Sequence, residues 1–193
     1  MPGKTKYIII TLLLVLVHGC GIFETRNPES PSNTRSTYIP PTTPDAVISN
    51  LTYSIEEKNS TNYVRNLSSV LYIYVPDSKA LALYGQIFQN WNVNSEKFYF
   101  DNLVAQTNKD ASSNLFLSNV NTTLISSDSA ITQADYIIVF QHNRNNIPKS
   151  AVGNFRLTMK ADENNLFSIL KWEDFRKNDT DFTWSELKAN FSN

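Results

Sequence analysis

Phe155-Arg156-Leu157-Thr158-Met159-Lys160 alternates apolar and polar residues at every step. Successive side chains on an extended chain point to opposite faces, so Phe155, Leu157 and Met159 share one face. That face meets a core, and the Arg156, Thr158, Lys160 face meets water. The flanking segments keep the same period. Leu115-Phe116-Leu117 opens an extended stretch that runs to Ile125. Ala134 to His142 reads as a second strand, with Tyr136, Ile138, Phe140 and His142 on one face. Asp162-Glu163-Asn164-Asn165 is a turn cluster, and Leu166 to Phe175 returns as a strand. Four strands in succession predict an antiparallel meander.

The chain upstream has a helical period. Thr43-Pro44-Asp45 supplies a cap, a first-turn proline and an acid at the positive helix end. Val47, Leu51 and Ile55 then fall on one face. Asn59-Ser60 breaks this helix and caps a second one carrying Tyr63, Val64 and Leu67. Val70 to Val75 is β-branched and aromatic and reads as a strand stopped by Pro76. Asp77 caps the next helix, whose stripe is Ala80, Tyr84, Ile87, Phe88 and Trp91, interrupted by Gly85. Asn94-Ser95-Glu96 starts another, and Thr183-Trp184-Ser185-Glu186-Leu187 begins a terminal one. The fold class is therefore α+β, with N-terminal helices packed on one face of a curved, mainly antiparallel sheet.

The first residues have a separate logic. Lys4 and Lys6 precede an apolar run from Tyr7 to Val17, and Val17-His18-Gly19-Cys20 follows at once. The run is too short to span a bilayer, which takes about 20 apolar residues. It resembles a bacterial lipoprotein signal peptide cut between Gly19 and Cys20, with His18 departing from the usual small residue. The resemblance implies a diacylated Cys20 with an acylated N-terminus, held in the membrane by several acyl chains. No Asp follows Cys20, which points to the outer membrane of a bacterial envelope. Plain secretion, with cleavage at a small-x-small site, is the alternative. Gly21 to about Thr42 is rich in Pro, Ser and Thr and reads as a tether, although Tyr38-Ile39-Pro40-Pro41 could form an ordered strap. The expected organisation is a signal peptide over 1–19, a lipidated tether over 20–42 and one domain over 43–193.

Composition removes several function classes. The 193 residues carry a formal charge of −1, so no basic patch for nucleic acid is expected. Cys20 is the only cysteine; once lipidated it leaves no disulfide and no free thiol. His18 leaves with the signal and His142 stays, which excludes a His/Cys zinc site. No metal site is expected elsewhere, since Asn178-Asp179-Thr180-Asp181 lacks the spacing of a calcium loop. No Gly-rich phosphate loop and no Gly-x-Ser-x-Gly elbow is present, and no cofactor is expected.

The element order from Thr43 to Asp174 resembles the SnoaL-like α+β cone. That superfamily includes ketosteroid isomerase, scytalone dehydratase and nuclear transport factor 2. The helix pair Pro44 to Leu67 is similar to its opening, and Leu166 to Asp174 to the aromatic strand that closes such cones. The resemblance implies a pocket between sheet and helices, and a fold of this kind does not imply a reaction. Lipoproteins that join a lipobox and a proline-rich tether to this kind of domain are also similar. Family enzymes place Asp, His or Tyr in the pocket, and no catalytic set maps onto this chain residue by residue.

Two ionisable residues are candidates. His142 is a general base if the Tyr136 face looks into the cone. Otherwise it is a sheet-edge residue in the polar run Gln141 to Asn146, and no carboxylate partner is identifiable. Asp174 shares parity with Leu170 and Trp172; it is either a desolvated acid or an exposed strand terminus beside Lys177. Tyr53, Tyr72, Tyr74, Tyr84, Tyr136 and Trp172 are candidate pocket walls, or core aromatics. Two functions compete: a membrane-anchored envelope lipoprotein whose cone binds a small ligand or envelope protein without catalysis, and a small periplasmic lyase or isomerase.

Overall fold

A computed structural model describes residues 36–192 of the chain. The expected signal peptide, Gly19, Cys20 and most of the tether lie outside the described residues. Among the described residues no helix is long and apolar enough to cross a membrane.

Helix α1 (Pro44–Glu56) starts where the Thr43 side chain accepts from the Ala46 amide. Asn59 caps α2 (Ser60–Arg65) in the same way. Strand β1 (Ile73–Val75) is shorter than the six-residue segment expected from Val70. Val70 and Leu71 lie in a turn, largely exposed. Only three residues of β1 find a partner strand, so the β-rich composition upstream has nothing to pair with. Asp77 caps α3 (Ser78–Phe88), which kinks at Tyr84 beside Gly85. Helix α4 (Val93–Ala105) is capped by Asn92, two residues before the expected start, in a reciprocal box with Ser95.

The meander follows: β2 (Asn114–Ser126), β3 (Ser129–Val139), β4 (Ser150–Ala161) and β5 (Phe167–Phe175). All three of its pairings are antiparallel. β3 begins at Ser129 and ends before His142, earlier at both ends than the sequence predicts. β1 adds to β5 in parallel, giving a five-stranded sheet of order β1-β5-β4-β3-β2. The register shifts in β2 between Ser118 and Asn121, where Asn119 takes a left-handed φ of 52°. This bulge bends the sheet. Helix α5 (Trp184–Asn190) ends the fold, with Thr183 and Glu186 forming a capping box.

The buried face of β4 is Ala151, Gly153, Phe155, Leu157 and Met159, as its alternation requires. Helices and sheet enclose one core, to which α5 contributes Trp184, Leu187 and Ala189, and its C-cap Phe191. The segment before α1 is an ordered strap. Asn50 accepts from the Ile39 amide at 2.8 Å and donates to the Ile39 carbonyl at 2.7 Å. The Phe167 amide donates to the Pro41 carbonyl at 2.7 Å. The compact unit thus begins at Ser36, seven residues before the expected boundary.

Candidate functional site

The interior of the cone is occupied. Helix α5 lies under the sheet, and Trp184 packs edge-on against Trp172 and Tyr136, with centroids 4.6 and 5.3 Å away. The Trp184 indole nitrogen donates to the Tyr99 hydroxyl at 2.9 Å.

One turn further along α5, Lys188 Nζ reaches Glu96 Oε1 at 2.6 Å, and both side chains are 0% exposed. The same oxygen accepts from the Tyr72 hydroxyl at 2.6 Å and the Trp91 indole at 2.8 Å. Glu96 Oε2 accepts from the Tyr63 hydroxyl at 2.9 Å. Lys188 Nζ also sits 3.5 Å from the centroid of Tyr74 and 4.2 Å from that of Trp172. Burial pulls the Lys188 ammonium down to about 8, against the pull of Glu96. Burial and the Glu96 charge push the Tyr63 and Tyr72 phenols well up, so both remain neutral donors.

A second carboxylate sits beside the first. Asp174 Oδ1 accepts from the Tyr136 hydroxyl at 2.7 Å. Its Oδ2 accepts from the Ser185 amide at 2.7 Å and hydroxyl at 2.5 Å. Burial pushes the Asp174 carboxyl up, opposed by these hydrogen bonds and by Lys188. The Tyr136 hydroxyl in turn accepts from the Trp184 amide at 2.8 Å. It passes so close to the β4 backbone that only glycine fits there: a Cβ on Gly153 would lie 2.6 Å from the Tyr136 oxygen and 2.6 Å from the Phe175 carbonyl oxygen. At the entrance to α5, Asp77 accepts from the Thr183 hydroxyl at 2.6 Å and pairs with Arg176 at 3.2 Å. Arg176 also holds Glu186 at 2.8 Å.

Asp174 is thus buried, not an exposed terminus, and Lys177 pairs with Asp135 instead, at 2.8 Å. His142 lies past the end of β3 in the polar run, as the second reading has it, and is buried there; its ring lies 4.9 Å from that of Phe191, and Nε2 is 3.1 Å from the Pro148 carbonyl oxygen. Its Nδ1 has no hydrogen-bond partner, so no carboxylate orients it as a base. Tyr72, Tyr136 and Trp172 do line the cone, but that interior is filled rather than open. Tyr53 is half-buried on α1 and Tyr84 on α3, outside both carboxylate networks. Sequence reasoning missed Glu96 and Lys188, although each carried a signal. Glu96, Tyr99, Phe100 and Leu103 fall at i, i+3, i+4 and i+7, as do Trp184, Leu187, Lys188 and Phe191. A charge in a core position of an amphipathic stripe implies a buried partner.

On the outside, a groove of about 840 Å³ runs along the strap, lined by Tyr38, Pro40, Pro41, Arg65, Leu67 and Leu166 among others. The Arg65 guanidinium lies over the Tyr38 ring at 3.6 Å.

Several solved structures share this architecture. A hexachlorocyclohexane dehydrochlorinase of the second type matches at 7% identity and TM-score 0.52, over 72% of this chain and 85% of its own. A candidate scytalone dehydratase from Novosphingobium aromaticivorans matches at 8% identity and TM-score 0.52, over 67% of this chain and 78% of its own. The fold is the SnoaL-like, nuclear transport factor 2-like α+β cone. A candidate calcium/calmodulin-dependent protein kinase II association domain from Xanthomonas campestris shares it, at 9% identity and TM-score 0.53 over 70% of this chain and 86% of its own. At such identities the cone likeness establishes architecture alone. No family model and no curated protein matches the sequence.

Proposed function

We propose that this chain is an envelope lipoprotein, anchored through Cys20, whose cone is a closed scaffold that binds partners or ligands on its outer surface without catalysis. The observation that carries the reading is the position of α5. Its Trp184 and Lys188 stand in the space a substrate would need, and both are 0% exposed. A general acid or base must come within about 3 Å of a substrate proton. Glu96 and Asp174 are instead saturated by the chain's own donors. The lipobox at Val17 to Cys20 supports the anchor.

The other reading, a small lyase or isomerase, has one observation in its favour: two carboxylates and five tyrosines do converge inside the cone. It requires α5 to leave. Two measurements separate the readings. Labelled palmitate should enter the wild-type chain in a bacterial host and be lost in Cys20→Ala; label kept by the variant contradicts the anchor. Tyr136→Phe and His142→Ala should leave a cellular phenotype intact where they fold, and charge reversal at Arg65 on the groove should weaken it. The opposite pattern supports an enzyme.

A further inference from the structure

Lys188 is held differently from a lysine that neutralises a stray carboxylate. Glu96 also accepts from three neutral donors, Tyr63, Tyr72 and Trp91, so its contact with the ammonium is one of four and does not by itself account for where Lys188 sits. The ammonium is surrounded by ring faces: Tyr74 at 3.5 Å, Trp172 at 4.2 Å, Tyr99 at 5.9 Å and Trp91 at 6.0 Å. Ring faces are negative, and rings around a desolvated cation attract it most strongly. One carboxylate oxygen at 2.6 Å, with ring faces nearby, is the arrangement by which proteins recognise alkylammonium ligands.

We propose that the cone contains an ammonium-binding cage, occupied in cis by Lys188, and that a free primary alkylammonium takes the same place when the Lys188 stem is cut back. The cage selects for charge because Glu96 and Asp174 both lie in a water-excluded interior. It selects for a slim alkyl stem because the one carried by Lys188 is itself fully buried. A guanidinium is broader than the single acceptor and the ring faces accommodate. The chemistry the cone recognises is therefore a protonated primary amine, and α5 delivers one permanently. The proposal is independent of lipidation, and its failure would leave the closed-cone reading standing.

The test is chemical rescue in the full chain. Lys188→Ala removes three methylenes and the ammonium, the atoms of n-propylammonium. Thermal melting of the variant at pH 7 is followed against n-propylammonium chloride, sodium chloride and 1-propanol. The melting temperature should rise saturably with the amine and not with the salt, and rise less with the alcohol. The wild type should not respond, and Glu96→Gln in the variant should erase the preference for amine over alcohol. Equal rescue by 1-propanol, or no rescue by the amine, overturns the proposal. If Lys188→Ala folds only with propylammonium present, the proposal is supported. If it folds under neither condition, nitrogen NMR of the unmodified chain decides. A slowly exchanging Lys188 ammonium with protons shifted upfield by the rings supports the cage, and a neutral amine or an unshifted ammonium contradicts it.

Discussion

Lys188 Nζ and Glu96 Oε1 stand 2.6 Å apart, with neither side chain reaching solvent. The pair joins α5 to α4 across the cone. Both charges left water to form it, so its net worth lies in what happens when one is removed. Breaking a buried pair strands the other charge at a cost of about 3–5 kcal/mol, whereas replacing both with apolar groups is often nearly neutral.

The first prediction follows from that asymmetry. Glu96→Gln should lower unfolding free energy by about 3–5 kcal/mol by stranding the Lys188 ammonium, and Lys188→Met, which removes the buried positive charge itself, should lower it less. The double variant should lose much less than their sum. Urea denaturation of the four chains measures the coupling; additive losses would mean the two residues act independently.

The second concerns Gly153. A methyl group there meets the Tyr136 phenol at 2.6 Å and the Phe175 carbonyl oxygen at 2.6 Å. Gly153→Ala should destabilise by about 1–3 kcal/mol, as overpacking does. Tyr136→Phe should not rescue it, because the carbonyl cannot move aside. Full recovery in the double variant, read by thermal melting, would contradict this account.

The third tests the strap. Asn50 is buried and spends its amide on both backbone groups of Ile39. Asn50→Ala should cost about 1–3 kcal/mol by leaving those groups unpaired. A chain beginning at Ser36 should melt as the longer chain does, and one beginning at Thr43 should melt lower. Identical melting for the two truncations would show that the strap adds nothing.

The fourth is a pH dependence. Burial lowers Lys188 to about 8 in the folded state. An unfolded lysine keeps its proton to about 10.4. Between those values the unfolded chain binds more protons, so stability from this group rises with pH from about 8 towards 10. The buried phenols of Tyr63, Tyr72, Tyr74, Tyr99 and Tyr136 act in the opposite sense. They stay neutral when folded but ionise when unfolded near pH 10, so stability falls above it. Denaturant midpoints should peak between about pH 8 and 10, and the rise below the peak should vanish in Lys188→Met. A rise that persists in the variant would assign it to another group.

Local rules made most of the fold legible. Thr43, Asn59, Asp77 and Thr183 each cap the helix that the sequence predicts after them. Phe155, Leu157 and Met159 are buried as their alternation requires. The errors lie where distant partners decide. Val70 and Leu71 have strand composition but no strand to pair with. Asp174 sits among Glu173 and Lys177, a polar neighbourhood in sequence, yet its partners are Tyr136 and Ser185 on other elements. Glu96 and Lys188 are 92 residues apart, and no local pattern joins them. The sequence order of helices and strands implies a cone; only the packing of α5 shows that its own C-terminal residues fill it.

Amide hydrogen exchange across α5 tests the closed cone most directly. Exchange at Leu187 and Phe191, whose amides close turns of this helix, reports whether it opens alone. Both should exchange only with global unfolding, at the same free energy as the central strands β3 and β4. Fast exchange at these positions while the sheet stays protected would make α5 a lid over an accessible chamber, and would contradict the reading of this cone as a closed scaffold.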